Sequence, residues 1–164
     1  MMETVSLKFQ KFATLLFIFL ISFLDFFTCF PEGNVTKTPP SPNLLFFQAI
    51  ENGDAPTITE LLDTGLPINV KDSLGNSGLI KATDEEEIQI VKILLSRKAN
   101  VNLRNITGET ALYRAVYRGN LELVKLLVQN GAETKIKTVG GVSLQELADE
   151  RGEDTILRYL QNLK

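Results

Sequence analysis

The amino-acid sequence predicts an all-α solenoid: four stacked helix-turn-helix repeats joined by short β-hairpin connections. Three observations predict it. First, one register of 33 residues links Gly75, Gly108 and Gly141, then Ala49, Ala82, Ala115 and Ala148. The same step links Ile58, Val91, Val124 and Leu157, and Leu61, Leu94, Leu127 and Leu160. Second, an apolar stripe at helical spacing recurs within the period, seen most clearly in Leu123, Val124, Leu126 and Leu127. Third, a unit this short cannot bury such a stripe alone, whereas stacked neighbours share one continuous core.

Ahead of the repeats, residues 1–30 read as a signal peptide or membrane anchor. Lys8 and Lys11 precede an uncharged run, Phe12 to Leu24, which Asp25 interrupts before FFTCF. A basic start before an apolar stretch of this length is the pattern of a secretory signal. The uncharged run is shorter than the ~20 residues that span a bilayer as helix. Extending it to Phe30 puts a carboxylate inside the span, which is costly in lipid. Cys29, the only cysteine, sits just beyond the run and resembles the lipidated cysteine of a bacterial lipoprotein. The preceding Phe26-Phe27-Thr28 departs from that pattern. Lipidation at Cys29, an uncleaved anchor and a cleaved secreted protein all stay open, in that order of preference. Each leaves the rest of the chain exported, membrane-anchored or periplasmic. Residues 31–42, rich in Pro and Thr, read as an extended tether holding the domain off a surface.

Residues 43–164 divide by the period into units of about 43–69, 70–102, 103–135 and 136–164. The third is the most regular, NITGETALYRAVYRGNLELVKLLVQNGAE from Asn105 to Glu133. It resembles the ankyrin repeat, D-x-x-G-x-T-P-L-H-x-A-x-x-x-G-x-x-x-x-V-x-x-L-L-x-x-G-A. Gly108, Thr110, Leu112, Ala115, Gly119, Val124, Leu127, Gly131 and Ala132 match that pattern. Gly108 stands where a tight turn needs positive φ, and Thr110 is placed to cap the inner helix. Gly131 stands at a left-handed helix end. The other units depart from the pattern. The first lacks a hairpin, and Phe46 takes its core leucine place. The second has Glu86 and Lys98 where the two helix-ending glycines belong. The fourth has Gln145 in place of the core leucine. The histidine of T-P-L-H is missing throughout, so its hydrogen bonding must be met otherwise. The run Asp84-Glu85-Glu86-Glu87 reads as a capping box opening the second outer helix, with Asp84 as N-cap and Glu87 three residues on.

Composition restricts the chemistry. With no histidine, the usual general base, zinc ligand and pH switch are gone. One cysteine forms no intrachain disulfide. No metal site, cofactor or catalytic residue is expected, and the protein reads as a non-enzyme. Net charge is −3, with no basic tract longer than a pair, so no nucleic-acid partner is expected. Two sequons, Asn34-Val35-Thr36 and Asn105-Ile106-Thr107, matter only in a eukaryotic host, and Asn105 already has a place in a hairpin.

The resemblance implies a partner protein bound by a monomeric domain through the hairpin tips and the concave face of the inner helices. By position, the tips carry Ser73, Leu74 and Asn76; Ile106, Thr107 and Glu109; and Val139 and Val142. The concave face carries Glu51, Asn52, Asp84, Glu85, Tyr117, Arg118, Glu150 and Arg151. Tyr113, Arg114, Tyr117 and Arg118 cluster in the third unit, and Tyr and Arg are the side chains that dominate interface energetics. Tyr113 is expected to pack under the hairpin in the missing histidine's place. The acidic run from Asp84 reads as a solvated helix start rather than a docking patch. Leu44 and Phe47 exceed what one neighbouring repeat can cover and mark a possible contact of the end cap. Exported ankyrin proteins that the chain resembles are thought to assist envelope enzymes such as a catalase. An inhibitor or immunity-type protein blocking one enzyme is the alternative. An enzymatic reading would need a closed pocket around carboxylates such as Asp84, Glu109 or Glu150, and no pair has a spacing that says so.

Overall fold

The computed structural model describes residues 40–163. The apolar N-terminal stretch, Cys29, the Asn34 sequon and most of the tether lie outside the described residues. Among the described residues, no helix is long and apolar enough to cross a membrane.

Among the described residues, eight helices form four antiparallel pairs: α1 (Pro42–Glu51) with α2 (Ala55–Asp63), α3 (Gly78–Asp84) with α4 (Ile88–Ser96), α5 (Ala111–Tyr117) with α6 (Leu121–Gln129), and α7 (Leu144–Glu150) with α8 (Asp154–Gln161). The inner helices α1, α3, α5 and α7 pack in sequence order into one row. Behind them, α2 packs on α4 and α6 on α8. The four period alanines Ala49, Ala82, Ala115 and Ala148 all lie buried on the inner helices. A methyl takes little room, so neighbouring helices can approach closely there. Val91, Val124, Leu94 and Leu127 are fully buried, while Leu61 and Leu157, in the end units, are half-buried. One seam thus runs through the stack and thins at both ends.

The caps follow the same register. Ser77, Thr110 and Ser143 open α3, α5 and α7, their hydroxyls accepting from the backbone N–H of Ile80, Tyr113 and Glu146. Each cap satisfies an otherwise orphaned donor. Glu146 returns the bond to the Ser143 N–H and completes a capping box. Asp54 and Asn120 cap α2 and α6 in the same way.

Three expectations are corrected. Asp84 is not the N-cap of the second outer helix; it is the last residue of α3. Glu86 follows with φ 59°, and Glu87 stands at the N-cap without a side-chain cap bond. The turn needs a left-handed residue at Glu86, and this pushes the N-cap of α4 three residues past Asp84, to Glu87. Second, the hairpins are not built as strands among the described residues. They are tight turns with isolated bridges, Lys71 with Ser77 and Lys137 with Ser143. The side chains of Asp72 and Asn105 close the turns, accepting from Leu74 and Asn76 N–H and from Thr107 and Glu109 N–H respectively. Third, the acidic run does not open a helix but closes one: Asp84 and Glu85 make ion pairs, described below, while Glu85 and Glu86 stay exposed.

The departures from the repeat pattern have local compensation. Phe46 is fully buried, and a Cβ on Gly78 would stand 2.6 Å from its Cε1, so the phenyl ring fits because position 78 has no side chain. Gln145 is only half-buried; Leu144 and Leu147 fill the core beside it. Leu44 stays exposed and Phe47 half-buried at the first unit, as the end-cap reading expects.

Candidate partner-binding surface

The turns do not merely project side by side; they are bonded to one another. Ile106 N–H donates to the Leu74 carbonyl (3.2 Å), and Val139 N–H to the Thr107 carbonyl (3.0 Å). Gly75 and Gly108 let this happen. Both hold positive φ (75° and 79°), and a Cβ on either would press on the next turn, 3.2 Å from Ile106 N or 3.0 Å from Val139 N. Behind the tips, Lys71 Nζ donates to the Arg104 carbonyl and Arg104 Nη1 to the Lys137 carbonyl, each across 33 residues. Asn69 and Asn102 accept, through their side-chain oxygens, from the backbone N–H of Asn100 and Glu133 in the following loop.

This bonded edge lifts apolar side chains into water. Leu74 is 57% exposed, Ile106 67% and Val139 80%, one at each successive tip. Ser73 and Thr107 beside them are exposed too. Asn76 and Glu109, also expected at the tips, are turned inward. Asn105 Nδ2 donates to both, at 3.0 Å and 2.8 Å. Both amide hydrogens of Asn105 are therefore used within the fold, and its sequon is structural. Here is the substitute for the missing histidine: a chain of amide and carboxylate groups between adjacent turns.

The chain continues onto the concave face. Arg114 bonds Glu109 (2.8 Å) and lies 3.6 Å from Asp84, and Arg118 holds Asp84 through two nitrogens, at 3.0 Å and 3.1 Å. The bond to Asp84 raises the Arg118 pKa further above its ordinary value. Lys81 bridges Glu51 (2.9 Å) and Glu85 (3.0 Å), and the Glu51 bond is the first cause of its raised pKa. Asp84 and Arg114 are thus spent on joining units, and Glu85 and Glu109 on pairs within their own units. Tyr113 is half-buried against the core, and burial, with the Glu109 charge second, pushes its phenol up.

What remains outward on this face centres on Tyr117. The residue is 38% exposed, and its ring carries the Arg151 guanidinium 4.1 Å from its centroid, with Arg114 at 5.9 Å. Stacking of this kind contributes about 0.5–1 kcal/mol at exposed sites and holds both side chains in place. Arg118, Glu150 and Arg151 are exposed around the ring. Sequence reasoning placed the Tyr117 cluster and the tips, but missed the bonded ladder of Asn69, Lys71, Asn102 and Arg104. The 33-residue spacing of Asn69 with Asn102 and of Lys71 with Arg104 was the available signal.

A stack of helix pairs with one shared seam, a bonded edge and an outward aromatic–cation cluster defines a helical-repeat scaffold. The family model for ankyrin repeats (three copies) matches residues 46–138, more than half of the chain. The chain therefore belongs to the ankyrin-repeat family, whose repeats form protein–protein interaction modules. No curated protein matches it.

Proposed function

We propose that this array is a non-enzymatic module that grips one partner protein on the exported side of a membrane, as a monomer, through its turn tips and the Tyr117 face. One observation carries the reading: among the described residues, Leu74, Ile106 and Val139, with Tyr117, are four of the five large apolar side chains left exposed. Apolar area removed from water by a partner contributes about 25 cal/mol per Å², and the array has already fixed these side chains in place. Export rests on the Lys8/Lys11-flanked apolar run and Cys29 in the sequence. An envelope enzyme, such as a catalase, is the partner class that the resemblance suggests.

The test is recovery of partner from host envelope extract with the chain and with a Tyr117→Ala, Arg118→Ala variant, beside an Ile106→Asp variant. Specific recovery by the chain and its loss in either variant, with thermal unfolding preserved, supports the reading. Equal recovery by all three removes this surface. Mass spectrometry of the mature N-terminus tests the tether: a diacylated Cys29 supports lipidation, and an intact Met1 ends that reading.

A further inference from the structure

We propose that the fourth unit's turn carries an open docking rung, built to take the backbone and one β-branched side chain of a tight turn of a partner protein. It is a site separate from the Tyr117 face and does not depend on it.

The molecule supplies its own template, twice. Between the second and third turns, Ile106 donates its N–H to the Leu74 carbonyl and lays its Cγ2 against Gly75, where a Cβ would stand 3.2 Å away. Between the third and fourth, Val139 donates to the Thr107 carbonyl and lays its Cγ2 against Gly108, again at 3.2 Å. In both, a cation from the earlier turn caps the carbonyl two residues before the docked one. Lys71 Nζ reaches the Arg104 carbonyl at 2.8 Å, and Arg104 Nη1 reaches the Lys137 carbonyl at 3.1 Å. Both occupants are β-branched. Each stands second in a tight turn, closed by the Gly108 N–H to the Asn105 carbonyl or the Gly141 N–H to the Thr138 carbonyl, and turns a methyl toward the glycine.

The third copy of the same three groups is present and open. Lys137 continues the row of Lys71 and Arg104, Gly140 the row of Leu74 and Thr107, and Gly141 the row of Gly75 and Gly108, each by 33 residues. Gly141 holds φ 82°, close to the two filled examples, and among the described residues nothing lies within 4 Å of a Cβ built on it. No N–H of the described residues donates to the Gly140 carbonyl, and Lys137, Gly140 and Gly141 are all exposed. The carboxylate facing Lys137 is that of Glu146, already bonded to the Ser143 N–H. The occupant is therefore defined by three contacts. A backbone carbonyl takes the Lys137 ammonium, an N–H two residues later meets the Gly140 carbonyl, and the Val or Ile side chain bearing that N–H covers Gly141. The two filled copies show that this geometry needs no rearrangement, so the free rung is preorganised.

The probe is the protein's own turn, a peptide of sequence Leu103–Thr110 cyclised through added terminal cysteines, titrated into the intact 15N-labelled chain. The expected result is saturable shifts at the Lys137, Gly140 and Gly141 amides, weakened about tenfold in a Lys137→Ala chain, the loss of one charge-assisted hydrogen bond. The same peptide with Ile106→Gly should bind more weakly to the unaltered chain, which keeps the test independent of any effect of Lys137→Ala on folding. Absence of saturable shifts at these amides, or equal binding of the Ile and Gly peptides, overturns the proposal. Neither result bears on partner capture by the Tyr117 face.

Discussion

Lys98 sits at φ 65°, where the first and third units have Gly65 at 98° and Gly131 at 88°. Around both glycines a Cβ would meet nothing within 4 Å, so the penalty at this place is backbone strain and not crowding. A left-handed non-glycine residue costs about 1–2 kcal/mol. Glycine returns roughly half of that through its greater freedom when unfolded, about 0.4–1 kcal/mol. Lys98 is exposed, makes no ion pair among the described residues, and its N–H bond to the Leu95 carbonyl is unaffected by the side chain. Lys98→Gly is therefore expected to stabilise the array by about 0.5–1 kcal/mol, raising Tm by about 2–5 °C. Glu86→Gly relieves the same strain at φ 59° but removes the carboxylate that accepts from Asn120 Nδ2 at 2.9 Å, so its net effect is expected near zero. Urea unfolding followed by far-UV circular dichroism measures both. A Lys98→Gly protein no more stable than the parent would refute the strain argument.

Three further outcomes follow from the packing. Gly78→Ala should destabilise by about 1–3 kcal/mol through overpacking, because its Cβ meets Phe46 at 2.6 Å; pairing it with Phe46→Leu should recover part of the loss in the same unfolding assay. Gly108→Ala should cost more than Gly131→Ala, since both hold positive φ but only Gly108 also faces the next turn's backbone, at 3.0 Å from Val139 N; comparing their Tm values decides it. The carboxyls of Asp54 and Glu146 are held below their ordinary 3.8 and 4.5, the first by its bonds from Thr57 and the second by its bonds with Ser143. A lowered folded pKa means stability that is present above the unfolded value and lost as pH falls through the folded one. The advantage of the parent over Asp54→Asn should therefore hold at neutral pH and fade below about pH 4, read from urea midpoints across pH; a difference that grows on acidification contradicts the sign.

The seam was legible because its parts are repeated: four alanines and the Leu and Val rows keep one register, and stacking fixes register more tightly than any single helix does. Glu86 and Lys98 were legible for the same reason, as glycine positions occupied by other residues. Asp84 was misread because D-x-x-E before an apolar run is also the local signature of a helix start. The register of Asp54, Glu87, Asn120 and Glu153 shows where the caps fall. The ion pairs between units were not legible. Arg118 with Asp84 and Arg97 with Asp63 cross a step of 34 residues, set by the offset between stacked helices and not by the repeat itself. Pairs across units and within them consume Asp84, Arg114 and Glu109, and leave Tyr117, Arg151, Leu74 and Ile106 outward.

The account rests on short helix pairs sharing one apolar seam, so that edge and face are left for another protein. Ala115, fully buried on α5 between α3 and α7, tests it most directly. Ala115→Leu, compared with Gln129→Leu on the exposed end of α6, should lower the unfolding free energy by about 1–3 kcal/mol while the surface variant stays within about 0.5 kcal/mol of the parent. Equal urea midpoints for both variants would mean that the inner helices do not meet along these alanines.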